Sequence, residues 1–428
     1  MAKMINSKQL KENMVYSQLK NGLDVYIFPK PGYSKQYAIY ATKYGSNDTA
    51  FVIPGDKQPT LVPDGIAHFL EHKLFEEEHG NVFESYSKLG AQPNAFTNFN
   101  TTAYHFTSTD NFYDCLDVLV GFVGRPYFTA ENVEKEKGII AQEIKMYEDE
   151  PNWRVFFNML GGLYQNHPVR RDIAGTVDSI QKIDKDLLYK CYNTFYHPSN
   201  MVLFIVGDVD HERIFKQLDG HFDNSLTKSE EIKRIYPDEP AQVNESMVKQ
   251  KLAVSRPLFA LGFKDIPLNE GGDKLLEKLI VNDILMDMFA GTSSQLYNKL
   301  YEEGLINDTF QWGYTGEKDY GYAMLTGETS DTGKVIDVIF DEVNKIKNSP
   351  FEQDYFMRIK KKKIGEFVRI FNSLEVIGYL FVSLYQKDIS IFDYMNKLDS
   401  IAYSQVIDAF NSVIDIDKST VSVVEPNK

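Results

Sequence analysis

The chain is patterned for regular structure almost throughout, and the pattern lapses at one place, residues 226–248, "LTKSEEIKRIYPDEPAQVNESMV". That stretch is polar, carries Pro237 and Pro240, and sustains no apolar period, which marks a linker. A single core does not serve 428 residues, so the lapse divides the chain into domains expected at 1–225 and 249–428. Before it, "MVYSQLKNGLDVYIF" is two apolar runs around Asn21-Gly22, a hairpin signal, and "QYAIYATKYG" alternates as a third strand. "PNAFTNFNTTAYHFTST" reads as a further strand, "AENVEKEKGIIAQEIKMYEDE" as a long helix capped by Thr129, and "NMVLFIVGDVD" as a buried strand. After it, "KQKLAVSRPLFALGF" predicts strands, "GGDKLLEKLIVNDILMDMFAG" and "SSQLYNKLYEEGL" helices, and "TFQWGYTGEKDYGYAMLTGET" a hairpin. Long helices and a last strand, "STVSVVEP", follow. The same order twice predicts a duplicated α+β fold, two similar domains that each pair an antiparallel-rich sheet with a layer of helices.

Composition excludes several functions. A net charge of -15 argues against nucleic acid and anionic membranes as partners. The opening "MAKMINSKQLKENMVYS" has no apolar run of a signal peptide, and "CLDVLVGFVG" is too short and is broken by Asp117. Cys115 and Cys191 are the only cysteines, which suits a reducing compartment and core-filling roles, so a cytoplasmic protein is expected. The basic run "RIKKKKIGEF" reads as a solvated helix face. There is no Gly-rich phosphate loop, GxSxG elbow or CxxC pair.

Chemistry concentrates in "GIAHFLEHKLFEEEHG", residues 65–80. On a helix His68 and His72 lie one turn apart on one face, the separation at which two imidazoles converge on one zinc ion. Glu71 lies beside them, placed to take a proton from a metal-bound water. Asp64 is the expected N-cap, with Ile66, Phe69, Leu70 and Phe75 on the buried side. A third ligand has to come from elsewhere. The helix near 130–148 offers Glu136 and Glu143, which are 143 − 136 = 7 apart and share a face, with Ile139 and Ile140 marking its inward side. All eight histidines lie at or before His221, so the second half supplies no imidazole.

These residues carry a family resemblance that runs along nearly the whole chain. "GIAHFLEHKLFE" resembles the H-x-x-E-H helix of the pitrilysin or insulinase-type zinc peptidases, the inverzincins. "PNAFTNFNTTAYHF", "EKEKGIIAQE" and "TFYHPSNMVLFIVGDVD" are similar to that family's following segment, distal ligand helix and end-of-domain strand. In length the chain resembles the bacterial members related to mitochondrial processing peptidase. The resemblance implies that His68, His72 and Glu143 hold one zinc per chain, with Glu71 as general base and Glu136 steadying the ligands behind. Glu148 and Glu150 are the nearby rivals to Glu143. It further implies that the substrate backbone adds as a strand near Asn94 and Ala95, and that two domains close like a clamshell on short or unfolded peptides.

One feature of the family is absent. An arginine and a tyrosine that bind substrate would fall within "NKLYEEGLINDTFQWGY", where Tyr301 and Asn307 or Asp308 stand instead. The resemblance therefore implies the metal-bearing subunit of a heterodimer whose paralogue carries that pair, with a homodimer as the alternative. A non-catalytic assembly or substrate-holding subunit is the competing expectation.

Overall fold

The computed structural model describes residues 2–78, 80–221 and 231–427. Two compact units result, Met1–Ile144 with Asp172–Tyr236 and Ile370–Gln386, and Lys145–Arg171 with Pro237–Arg369 and Lys387–Lys428.

The first unit is built on a seven-stranded sheet. Its strands are β1 (Lys3–Ser7), β2 (Glu12–Gln18), β3 (Asp24–Pro29), β4 (Gln36–Thr42), β5 (Gln92–Thr97), β6 (Thr102–Ser108) and β7 (Met201–Gly207). They run in the order β1-β2-β3-β7-β4-β6-β5. All neighbours are antiparallel except β3 and β7. The apolar run of β7 is buried at every residue, as a central strand covered on both faces must be. Asn21-Gly22 makes the expected β2–β3 turn, Gly22 with φ +90° and its amide donating to Leu19 O at 3.0 Å. The stretch expected as one strand at 93–109 is instead the β5–β6 hairpin. The Asn98 side chain folds it by accepting from the amides of Asn100 and Thr101, at 2.9 and 2.8 Å.

Three helices of this unit matter below, α1 (Ile66–Leu74), α2 (Val82–Leu89) and α3 (Phe112–Val123), with a fourth, α4 (Ala130–Glu148), that belongs to it as far as Ile144. Two of them, α2 and α3, escape the sequence reading, because apolar residues surround α3 and obscure its period. Both cysteines are free and buried, Cys115 within α3. The opposite face of the sheet is covered by the helix Leu374–Tyr385, where Gly378 is required. A Cβ there would come 2.4 Å from the Tyr37 ring. On that face His105 Nε2 lies 2.8 Å from the Tyr379 hydroxyl, and burial pushes the imidazole pKa down to about 4. The folded chain thus refuses a proton that the unfolded chain accepts below about pH 6.5, so stability falls as pH drops through that window. We expect His105→Gln to recover about 2 kcal/mol of the stability lost by pH 5, measured by calorimetry between pH 7 and 5.

The second unit repeats the plan. With β8 (Met247–Leu252), β9 (Leu258–Asp265), β10 (Gln311–Gly316), β11 (Gly321–Glu328) and β12 (Ser419–Pro426), the order is β8-β12-β9-β11-β10. This retraces β3-β7-β4-β6-β5 strand for strand, including one parallel pair, β8 with β12. Helices α5 (Pro151–Leu163), α6 (Asp273–Ala290), α7 (Gln295–Glu302), α8 (Thr332–Asn348) and α9 (Gln353–Ile370) belong to this unit.

The expected boundaries need correction. Helix α5 precedes the expected linker yet packs on β9, where Gly262 admits it; a Cβ there would meet Leu163 and Met159 at 2.7 and 2.8 Å. The helix Leu374–Tyr385 belongs to the first unit in the same way. Each sheet is therefore covered in part by a helix from the other half of the sequence. Apolar periodicity shows that a helix buries a face but not which sheet receives it. Of the expected linker, 226–230 lie outside the described residues. The remainder is tied down: Lys233–Arg234 pairs with Phe51–Val52, Arg234 bonds Asp48 at 2.9 Å, and Glu239 pairs with Lys264 at 2.5 Å.

Candidate metal centre

Helix α1 starts one residue later than its sequence suggests. Its N-cap is Gly65, with φ +90°, in place of Asp64. The reason is a close crossing of chains: a Cβ on Gly65 would stand 2.3 Å from Ala174 O, while Ser179 Oγ donates to Asp64 O at 2.8 Å. The start of the helix is thereby fixed in place. Ile66, Phe69, Leu70 and Phe75 are buried as expected, so the remaining face presents His68, Glu71 and His72. The second helix, α4, begins at Thr129, whose hydroxyl accepts from the Asn132 amide at 3.1 Å. Ile140 and Ile144 are its buried anchors, but Ile139 is exposed, contrary to expectation, because it rims a cavity beside the histidines.

The two helices bring the expected side chains together. His68 and His72 face each other with ring centroids 4.6 Å apart. Glu143 Oε1 lies 3.7 Å from His68 Nε2, and its Oε2 lies 3.4 Å from His72 Nε2. One donor atom from each of the three residues falls within 4.8 Å of the others. Tetrahedral zinc bonds of about 2.0–2.2 Å place donor atoms about 3.3–3.6 Å apart, so this group needs little adjustment to hold the ion. The rivals Glu148 and Glu150 are not in the group.

Behind it, Glu136 Oε1 lies 3.1 Å from His72 Nδ1, which orients that ring with Nε2 toward Glu143. The other Glu136 oxygen is 3.6 Å from the wholly buried Lys73 ammonium, which also bonds Glu76. Burial alone would raise the Glu136 pKa, but His72 and Lys73 outweigh it and hold the group ionised. His68 has no such support. Its Nδ1 is buried with no hydrogen-bond partner among the described residues. Burial, then the neighbouring His72, pushes its pKa down to about 3, leaving the neutral ring a ligand requires. Burial would lower the His72 pKa too, but the carboxylates of Glu136, Glu143 and Glu71 more than offset this and raise it.

Glu71 stands slightly apart from the donor group. It is absent from the three converging side chains, and its Oε2 accepts from the Thr97 hydroxyl at 2.6 Å. Burial raises its pKa above the ordinary carboxylate value, against the opposing pulls of Thr97 and His72. A carboxylate made more basic in this way suits proton transfer better than ligation. Thr97 and Lys73 are the members of the site that sequence reasoning missed. Thr97 is 97 − 71 = 26 residues from Glu71, and only the pairing of β5 beside α1 reveals the contact. Asn94 and Ala95 lie on β5, the edge strand, and line the same cavity of about 530 Å³ as Glu71, His72 and Glu136. The Ala95 amide donates to Asn94 Oδ1 at 2.8 Å.

At the positions where the family pair is expected, Tyr301 is exposed and stacks on Tyr297, with centroids 6.0 Å apart. The Asn307 amide bonds Glu328 at 3.2 Å.

Comparison with known proteins supplies the family. The model for the insulinase family, peptidase family M16, matches residues 60–177, and that for the "Peptidase M16 inactive domain" matches 182–363. The chain is similar to the Bacillus subtilis protein named "Uncharacterized zinc protease YmfH", at 43% identity over 427 residues and 100% of both chains. Among solved structures it is similar to the putative M16-like peptidase of Alicyclobacillus acidocaldarius, at 33% identity and TM-score 0.92, covering 100% of this chain and 99% of that one. Pitrilysin shares the fold at TM-score 0.74 and 14% identity, with 100% of this chain matching 47% of the other. Likeness of this extent, end to end and in both halves, makes the chain a member of peptidase family M16, the insulinase family.

Proposed function

We propose that the protein is a zinc-dependent endopeptidase acting on short or unfolded peptides. The observation that carries this reading is the convergence of His68, His72 and Glu143 with the basic carboxylate of Glu71 beside them. His68, His72 and Glu143 would hold the ion, which in such sites acts as a Lewis acid toward a carbonyl and acidifies water. Glu71 accepts the proton of the attacking water and delivers it to the leaving amine, with Thr97 fixing its orientation. Glu136 holds His72 in its ligating orientation. The free edge of β5 at Asn94 and Ala95 receives the substrate backbone as an added strand.

The missing arginine and tyrosine support the two-subunit reading, in which a paralogue supplies them. Peptide hydrolysis by the zinc-loaded chain, measured with and without that paralogue, tests both claims. Cleavage only in the mixture is expected. Full activity of the isolated chain overturns the two-subunit role, and no cleavage in either case supports the assembly-subunit alternative. For the ligand set, Glu136→Gln is expected to weaken zinc binding about 10- to 100-fold in competition with a chromogenic chelator. An unchanged affinity would remove Glu136 from its assigned role.

A further inference from the structure

A peptide added to β5 sends successive side chains to opposite faces of the sheet. Toward α1, β5 presents Ala95 and Thr97, the latter bonded to Glu71. Toward the other face it presents Asn94 and Phe96, whose partners on β6 are His105 and Ala103. That second face carries an aromatic surface of its own. The Phe96 ring lies 5.3 Å from the ring of Tyr379, on the helix Leu374–Tyr385. The Tyr379 hydroxyl is held by His105 Nε2 at 2.8 Å, so the ring is fixed although 40% of the residue is exposed. Val376, one turn earlier on the same helix face, is 44% exposed.

We propose that Phe96, Val376 and Tyr379 form a second specificity surface, which receives apolar or aromatic side chains at alternate positions of the bound peptide. These are the positions flanking the side chain that enters the cavity beside Glu71. The inference rests on the peptidase reading and on strand addition at β5, and it assigns a role to a helix that neither requires. A helix serving only to cover the sheet would have no need to leave a fixed ring open beside Phe96 of the edge strand. The surface is apolar and prearranged, so it favours apolar side chains at low ordering cost.

Cleavage of a peptide library by the zinc-loaded chain, with its paralogue where one is needed, sets the register from the cleaved bonds. Fluorescent peptides in that register are then bound to the zinc-loaded Glu71→Gln chain and followed by anisotropy. Tyr379→Ala and Val376→Asp are each expected to weaken, about tenfold, the binding of peptides with apolar residues at the alternate positions. Discrimination at the cavity position should not change, and Tyr379→Phe should retain the preference because the ring supplies it. Val376→Asp alters an exposed side chain, so the test survives if Tyr379→Ala fails to fold. Unaltered discrimination in peptides that still bind and are cleaved overturns this proposal alone. Absence of any cleavage or binding overturns the peptidase reading beneath it.

Discussion

Glu71→Gln is expected to lower kcat for peptide hydrolysis by about 10³-fold or more while the chain still binds one zinc. The substitution keeps the size of the side chain and its capacity to accept from Thr97, which bonds Glu71 at 2.6 Å. What it removes is basicity, since an amide takes no proton from water at neutral pH. General base catalysis contributes about 10²–10⁴-fold, and in the proposed mechanism one group both accepts and returns the proton, so the loss belongs at the upper part of that range. Because Glu71 is not among the converging donor atoms, zinc stoichiometry should stay at that of the unaltered chain. His68→Ala is the counterpart: it deletes a donor and should lose zinc and activity together. Metal analysis beside steady-state kinetics separates the two effects. A Glu71→Gln chain that keeps its kcat would assign the base to another residue.

How far this site was legible in the sequence depended on the range over which each contact acts. His68, Glu71 and His72 lie within one helical turn, so local spacing was enough to place them on one face. Glu143 needed a second helix, and helical period alone left it level with Glu136; the structure separates them, Glu143 facing both Nε2 atoms and Glu136 the Nδ1 of His72. Thr97 and Lys73 gave no signal, because their roles arise from packing between elements. The Gly65 cap was hidden for the same reason, since Asp64 is a good capping residue until Ala174 is known to pass close by. In the fold, the repeated order of elements along the chain was legible, but the exchange of α5 and the helix Leu374–Tyr385 was not. Both are apolar-faced helices that either sheet could bury.

The basic run at 358–367, expected as a solvated face, supports the other large effect. Lys362 Nζ bonds both Asp287 oxygens, at 2.9 and 2.7 Å, and Lys363 bonds Asp283 at 2.8 Å, while Lys360 caps the carbonyls of Asp399 and Ile401. Asp283 and Asp287 are one turn apart on α6, and the lysines come from α9. In the repeated topology α6 follows β9 as α1 follows β4, and α9 stands in chain order where α4 does. The second unit thus joins these helices by ammonium groups, where the first gathers two imidazoles and carboxylates. The Asp287 side chain is only 2% exposed, so Asp287→Ala removes the buried carboxylate that Lys362 and Lys363 share and is expected to destabilise the protein by about 3 kcal/mol. The value sits at the low end for a buried pair because Lys362, at 43% exposure, can turn to water. Asp283, at 47% exposure, should cost about 1 kcal/mol or less on the same substitution. Denaturant unfolding of both variants, with and without zinc, checks the contrast. The Asp287 penalty should be the same in either condition, since it acts in the unit that binds no metal in this account, and equal losses in the two variants would show that burial does not govern the cluster.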